Sequence, residues 1–137
     1  MKAIVELQQN VCFKGTAGSG SSVLMDGPPD HGGENNGPRP MEMLLLGMGG
    51  CASFDVVHIL RKRRLEVSDC VCEIEAERAE TEPKVFNKIH LHFKVSGAGV
   101  SEKAIARAVE LSAEKYCSAS IMLGKTAEIT HTHEIVE

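Results

Sequence analysis

The chain has 137 residues, enough for one ordinary domain, and its 42% apolar and 25% charged composition is that of a folded globular protein. A net charge of −4 argues against a broad phosphate-binding surface, and with no Trp and one Tyr the chain lacks platforms for stacking nucleic-acid bases. The start, Met1-Lys2-Ala3-Ile4-Val5-Glu6, lacks the continuous apolar run of a secretory signal, and the most apolar stretch, residues 43–52, is too short to span a bilayer. A cytoplasmic protein with no nucleic-acid and no membrane partner is therefore expected.

Five cysteines without a secretory signal suggest free thiols in a reducing compartment, and the odd count excludes a fully paired framework. No CxxC is present, so a metal finger is not expected, and no metal or cofactor is assigned to the chain.

Residues 2–13 open as an alternation, with Ala3, Val5 and Leu7 opposite Ile4 and Glu6, and read as a strand. Residues 14–22, rich in Gly, Ser and Thr, read as a turn leading to a short strand over 22–25. The Gly-, Pro- and Asn-rich segment 26–40 reads as a long surface loop, a kind that is often functional. Residues 41–64 are predicted to form the central helix. Pro40 suits a first helical position, where its missing N–H would have been unpaired anyway. From Met43 through Val57 the helix has almost no polar face, the pattern of a buried helix. Its end, Arg61-Lys62-Arg63-Arg64, suits the negative pole of the helix dipole and reads as a solvated terminus.

Residues 67–79 and 85–95 read as a hairpin. Cys70, Cys72, Ile74 and Ala76 share one face of the first strand and Glu73, Glu75 and Glu77 the other. In the second strand Ile89, Leu91, Phe93 and Val95 oppose Lys88, His90, His92 and Lys94, so an acidic row meets a basic row. Ser101 is an N-cap candidate for a helix running to about residue 116, with Ile105, Ala108, Val109, Ser112 and Tyr116 inward. Gly124 breaks the pattern, and residues 126–136 alternate as a last strand. The whole is one α+β domain over residues 1–137.

Cys51 lies on the apolar helix behind Gly47, Gly49 and Gly50. Each helical Gly costs roughly 1 kcal/mol relative to Ala, a cost that close approach of a neighbour or a small substrate would offset. Cys51 is then either a small core residue in a tight helix crossing or a thiol in a cleared space. Cys117 ends the second helix before Ser118-Ala119-Ser120. Two such cysteines suit an attacking and resolving pair, in which a sulfenic acid on one condenses with the thiol of the other; a buried structural role for Cys117 is equally open. Cys12, Cys70 and Cys72 read as structural. His90 with His92, and His131 with His133, have the i, i+2 spacing of metal ligands on a strand, but a polar strand face explains the first pair as well.

Pro40-Met41-Glu42-Met43-Leu44 followed by Gly47-Met48-Gly49-Gly50-Cys51, together with Lys115-Tyr116-Cys117-Ser118-Ala119-Ser120, resembles the OsmC/Ohr family of thiol-dependent hydroperoxide reductases. The order of elements is similar over nearly the whole chain. The resemblance implies an antiparallel sheet wrapped around a long buried central helix in an intertwined homodimer. It implies reduction of organic hydroperoxides or hydrogen peroxide by Cys51, a disulfide to Cys117, and a dithiol reductant. The alternative is a non-catalytic or weakly catalytic relative that binds a small apolar ligand in the same pocket.

Ser118 stands where the family usually has Pro, Met41 where it has its Glu, and no Arg precedes Arg39. Glu42 and Arg39 are the candidate replacements for the family's carboxylate and guanidinium. Glu42 is roughly 13 Å before Cys51 along a straight helix, beyond reach in cis, whereas an antiparallel second copy would bring the two together.

Overall fold

The computed structural model describes residues 1–137. The chain divides into two compact units, Met1–Leu46 and Gly47–Glu137. In the first, strands β1 (Ala3–Gln9), β2 (Cys12–Ala17) and β3 (Ser22–Met25) form an antiparallel sheet in that order. The single strand expected over residues 2–13 is in fact two. The chain reverses at Asn10, whose φ of +50° lies in the left-handed region that Asn tolerates. Lys14 to Ala17, expected in a turn, continue β2. Ile4, Val5 and Leu7 of β1 all remain exposed.

Helix α1 spans Pro40–Lys62 and begins at the predicted proline. Glu42 Oε1 accepts the backbone N–H of Arg39 at 2.8 Å, half of a capping box that satisfies a free donor at the helix start. Met48, Ala52, Val56 and Leu60, four residues apart, form one fully buried stripe. The other faces depart from expectation. Leu44 is 46% exposed, Leu46 57% and Phe54 68%. One chain does not cover a helix that is apolar all round. Taken whole, α1 is long and apolar enough to cross a membrane, which the run at 43–52 alone is not.

In the second unit β4 (Asp69–Arg78) and β5 (Phe86–Ser96) form the predicted antiparallel hairpin. Glu73 lies opposite His92, Glu75 opposite His90 and Glu77 opposite Lys88, and Glu73 also ion-pairs with Lys94. Ile89, Leu91, Phe93 and Val95 point into the core. The last strand, β6 (Glu128–Ile135), runs parallel to β5, so the sheet is mixed rather than antiparallel. The reason is the long helical crossover between them, which returns the chain to the starting end of the sheet. In that register His90 meets the hydroxyls of Thr130 and Thr132 at 2.6 and 3.0 Å, and His92 meets Thr132 at 2.7 Å. The first histidine pair thus belongs to a polar strand face.

The crossover starts with α2 (Glu102–Leu111), capped by Ser101, whose hydroxyl accepts the Ala104 N–H at 3.1 Å as predicted. The expected continuation to residue 116 gives way to a π-turn over Ser112–Tyr116 and a short helix α3 (Ser118–Leu123). The wider turn shifts the helical phase, and Tyr116, expected inward, is 51% exposed.

The loop after β3 is organised by one buried carboxylate. Asp26 accepts the backbone N–H groups of Gly27, Glu34 and Asn36 at 2.8, 3.1 and 3.0 Å, and its own N–H donates to the Pro38 carbonyl at 3.0 Å. Gly37 is required beside it, since a Cβ there would lie 2.3 Å from the Leu24 carbonyl oxygen. The amide bonds, that of Asn36 foremost, hold the Asp26 carboxyl below its ordinary value of 3.8. A depressed carboxylate contributes stability that is full above the unfolded value and is lost as pH falls through the folded one. Asp26→Asn is therefore expected to lower the urea midpoint at pH 7 and to flatten its pH dependence below about pH 4. Urea titrations of both proteins from pH 3 to 7 check this, and parallel curves would remove Asp26 as the anchor of the loop.

Candidate functional site

Cys51 and Asp55 are one helical turn apart on α1 and share a face. Cys117 joins them from the junction of the π-turn with α3. The two sulfurs and a carboxylate oxygen of Asp55 all lie within 4.8 Å of one another. The structure thus brings together the two cysteines that the sequence singled out and adds a carboxylate that it did not.

Hydroxyl groups fix the site from behind. Ser112, buried at the start of the π-turn, donates to Asp55 Oδ2 at 3.0 Å. Ser120 donates to Cys117 Sγ twice, from its backbone N–H at 3.3 Å and its hydroxyl at 3.0 Å. Cys117 is fully buried and Cys51 half-buried, so a reagent from solvent reaches Cys51 first. Burial pushes the Cys117 thiol up, the Ser120 donors pull it back, and a hydrogen bond shared with Cys51 keeps the proton on Cys117.

The other cysteines lie outside this cluster, though Cys72 is near enough to Cys117 to be raised by it. Cys70 and Cys72 are half-buried on β4 and both hydrogen-bond Ser53. Burial, reinforced by Cys70, pushes the Cys72 thiol up to about 11 against the pull of Ser53. Burial and then Asp69 raise Cys70. Cys12 is buried in the first unit, raised by burial and by Asp26 and Glu34.

Arg39 and Glu42 are engaged within their own segment. The Arg39 guanidinium donates to Asn35 Oδ1 at 3.4 Å and to the Gly37 carbonyl at 3.3 Å, while Glu42 caps the helix through the Arg39 N–H. Asp55, Ser112 and Ser120 were missed in the sequence. The C-x-x-x-D spacing of Cys51 and Asp55 was the signal available for the first; the serines carry none without the path of the chain between them.

A model of the OsmC-like protein family matches residues 32–132. The chain belongs to the OsmC-like family. It is 46% identical over 136 residues to protein YhfA of Escherichia coli, covering 99% of this chain and 98% of that one. In structure this OsmC-like chain is similar to a hypothetical protein of Aquifex aeolicus, with a TM-score of 0.86 at 33% identity over 98% of this chain and 95% of that one. An organic hydroperoxide resistance protein of Legionella pneumophila shares the fold, with a TM-score of 0.68 at 18% identity over 97% and 95% of the two chains. The mixed α+β architecture is that of OsmC and Ohr structures.

The Cys72 thiol yields a direct check on the electrostatics. At pH 8 a thiol at about 11 is roughly 0.1% ionised, against roughly 10% for one at its ordinary value of 9.0. Allowing for its greater intrinsic nucleophilicity, Cys72 is expected to alkylate about tenfold or more slowly than a free thiol, with a rise toward pH 11. Timed iodoacetamide labelling read by peptide mass measures this. A Cys72 rate equal to that of free cysteine at pH 8 would contradict the burial argument.

Proposed function

We propose that this OsmC-like protein reduces organic hydroperoxides or hydrogen peroxide with the Cys51/Cys117 pair. The observation that carries this is the pairing itself: a half-buried thiol whose sulfur lies within 4.8 Å of that of a fully buried one. The Cys51 thiolate attacks the terminal peroxide oxygen, the O–O bond breaks, and the alcohol (or water) leaves after taking a proton. The resulting sulfenic acid condenses with the Cys117 thiol, losing water and forming the disulfide. A dithiol reductant then returns both thiols by exchange. The sulfurs lie within 4.8 Å of one another, against the roughly 2.04 Å of a bond, which favours this bridge over one that would need a distant thiol to move in. Proteins of the same fold from Legionella pneumophila and Elizabethkingia anophelis are named organic hydroperoxide resistance proteins, which supports the reading.

Arg39 and Glu42 enter as the assisting cation and carboxylate. Their hydrogen bonds within the loop and helix cap favour weak activity. They equally favour the second reading, a relative that binds a small apolar ligand without turning it over. One equivalent of an alkyl hydroperoxide is expected to consume two thiols and to give a Cys51–Cys117 disulfide, with Cys12, Cys70 and Cys72 left reduced. The rate is expected to be about a hundredfold below that of a family member with the usual Arg and Glu, the effect of losing one electrostatic stabiliser. Stopped-flow oxidation with peptide mapping tests both points. A bridge to Cys70 or Cys72, or no thiol loss at all, would sink the peroxidase reading, and the latter would leave ligand binding.

The reading includes a single functional domain over residues 1–137 and an antiparallel homodimer built around α1. Gly47 and Gly50 support the dimer. A Cβ on either would meet nothing within 4 Å, so only Gly49, 2.7 Å short of Ile74 Cδ1, has its close approach within the chain. Two helical glycines beside exposed Leu44, Leu46 and Phe54 suit a crossing with a second copy. Leu46→Glu is expected to weaken association by at least tenfold. Sedimentation velocity reads the outcome, and a folded wild-type monomer at micromolar concentration would overturn the dimer.

A further inference from the structure

The cluster of Cys51, Cys117 and Asp55 has a second chemistry that needs no peroxide. Two sulfurs and a carboxylate oxygen, all within 4.8 Å of one another, approach the spacing of ligands around one tetrahedral ion. Zinc takes thiolate at about 2.3 Å and carboxylate at about 2.0–2.2 Å, which places neighbouring ligands somewhat under 4 Å apart.

The surroundings fit this set. Ser112 donates to Asp55 Oδ2 at 3.0 Å, and Ser120 donates twice to Cys117 Sγ. Hydrogen bonds to the ligands are what orient them in metal sites. The three ligands come from two rigid elements, two from consecutive turns of α1 and one from the start of α3. Asp55 also lines a cleft of about 380 Å³ with His58, Ile59, Lys62, Arg63 and Tyr116, so one edge of the cluster is reachable from solvent and the cleft's two basic side chains lie on the outer side.

We propose that the reduced protein binds one zinc-class divalent cation between the Cys51 and Cys117 sulfurs and the Asp55 carboxylate. Two thiolates select a borderline-soft metal, and the hard carboxylate favours a divalent ion over copper(I). Three protein ligands leave a fourth position for water, the arrangement of an exchangeable rather than a sealed site. Binding releases the two thiol protons, so affinity rises with pH. A Cys51–Cys117 disulfide removes both sulfur ligands, so uptake belongs to the reduced state alone. Metal and oxidant then compete for the same pair.

Cobalt(II) is the probe, because its thiolate charge-transfer absorption in the near ultraviolet reports sulfur ligation directly. Titration of the reduced full-length protein is expected to give one cobalt per chain with thiolate bands, displaced by zinc. Cys51→Ser and Cys117→Ser are each expected to lose about half the band and at least tenfold in affinity. Asp55→Asn is expected to keep the bands but bind about tenfold more weakly. The Cys70→Ser/Cys72→Ser double variant is expected to behave as wild type. Diamide oxidation of the wild type is expected to abolish uptake and dithiothreitol to restore it, a comparison that needs no variant to fold. Absence of thiolate bands in the reduced wild type, bands that survive Cys51→Ser unchanged, or bands lost in the Cys70→Ser/Cys72→Ser variant would overturn the proposal. A protein that binds cobalt in this pattern yet ignores hydroperoxide upholds the metal site while removing the peroxidase reading.

Discussion

The backbone bond from the Cys117 N–H to the Ser112 carbonyl, 2.8 Å long, spans five residues where an α-helix spans four. Most of the site depends on it. The extra residue in the turn offsets everything beyond by about 100°. In a regular helix the inward stripe of Ile105, Ala108, Val109 and Ser112 would continue to Tyr116. Here Tyr116 swings outward and Cys117 turns into the core beside Cys51. Ser112 stays on the inward stripe, where its hydroxyl meets Asp55. A single wide turn thus sets the thiol pair and the orientation of the carboxylate together.

What was legible in the sequence was local. Pro40, the apolar run after it and the Ser101 cap state the two long helices through period and end chemistry. The alternation of Ile89, Leu91, Phe93 and Val95 states β5. Both cysteines stood out because each lies beside small residues on a helical segment. Some of the failures come from a partner distant in sequence, and others from a local signal that is missing or that reads as something else. Asn10-Val11 lacks the Gly that usually marks a tight reversal. Asp26 looks like an ordinary loop acid until Glu34 and Asn36 fold back to it. The direction of β6 follows from the crossover, and nothing in its own residues separates parallel from antiparallel pairing. Asp55 stood in plain view at i+4 from Cys51, yet it reads as the point where the apolar run ends.

Burial and hydrogen bonding set the state of the inner thiol of the cluster. Burial opposes ionisation of the Cys117 sulfur, and the hydrogen bond shared with Cys51 adds to this. A thiolate there gains from a nearby positive charge, and Lys62 and Arg63 line the same cleft as Asp55. The guanidinium expected for that role is held by Asn35 and Gly37 in its loop. The Ser120 donors offset part of the effect of burial at Cys117, while Ser112 orients the Asp55 carboxylate.

The parallel pairing of β5 with β6 also sets an order of events during folding. The β4–β5 hairpin joins near neighbours, whereas the register that places Lys88 beside Glu128 closes some 40 residues of chain. Closing so long a loop carries a larger entropic cost before any contact compensates it, so such contacts tend to form late. The segment enclosed contains α2, the wide turn and α3. The Cys51–Cys117 contact, 66 residues apart in sequence, is of the same long-range kind, so the thiol pair is a product of the tertiary fold and of no local segment.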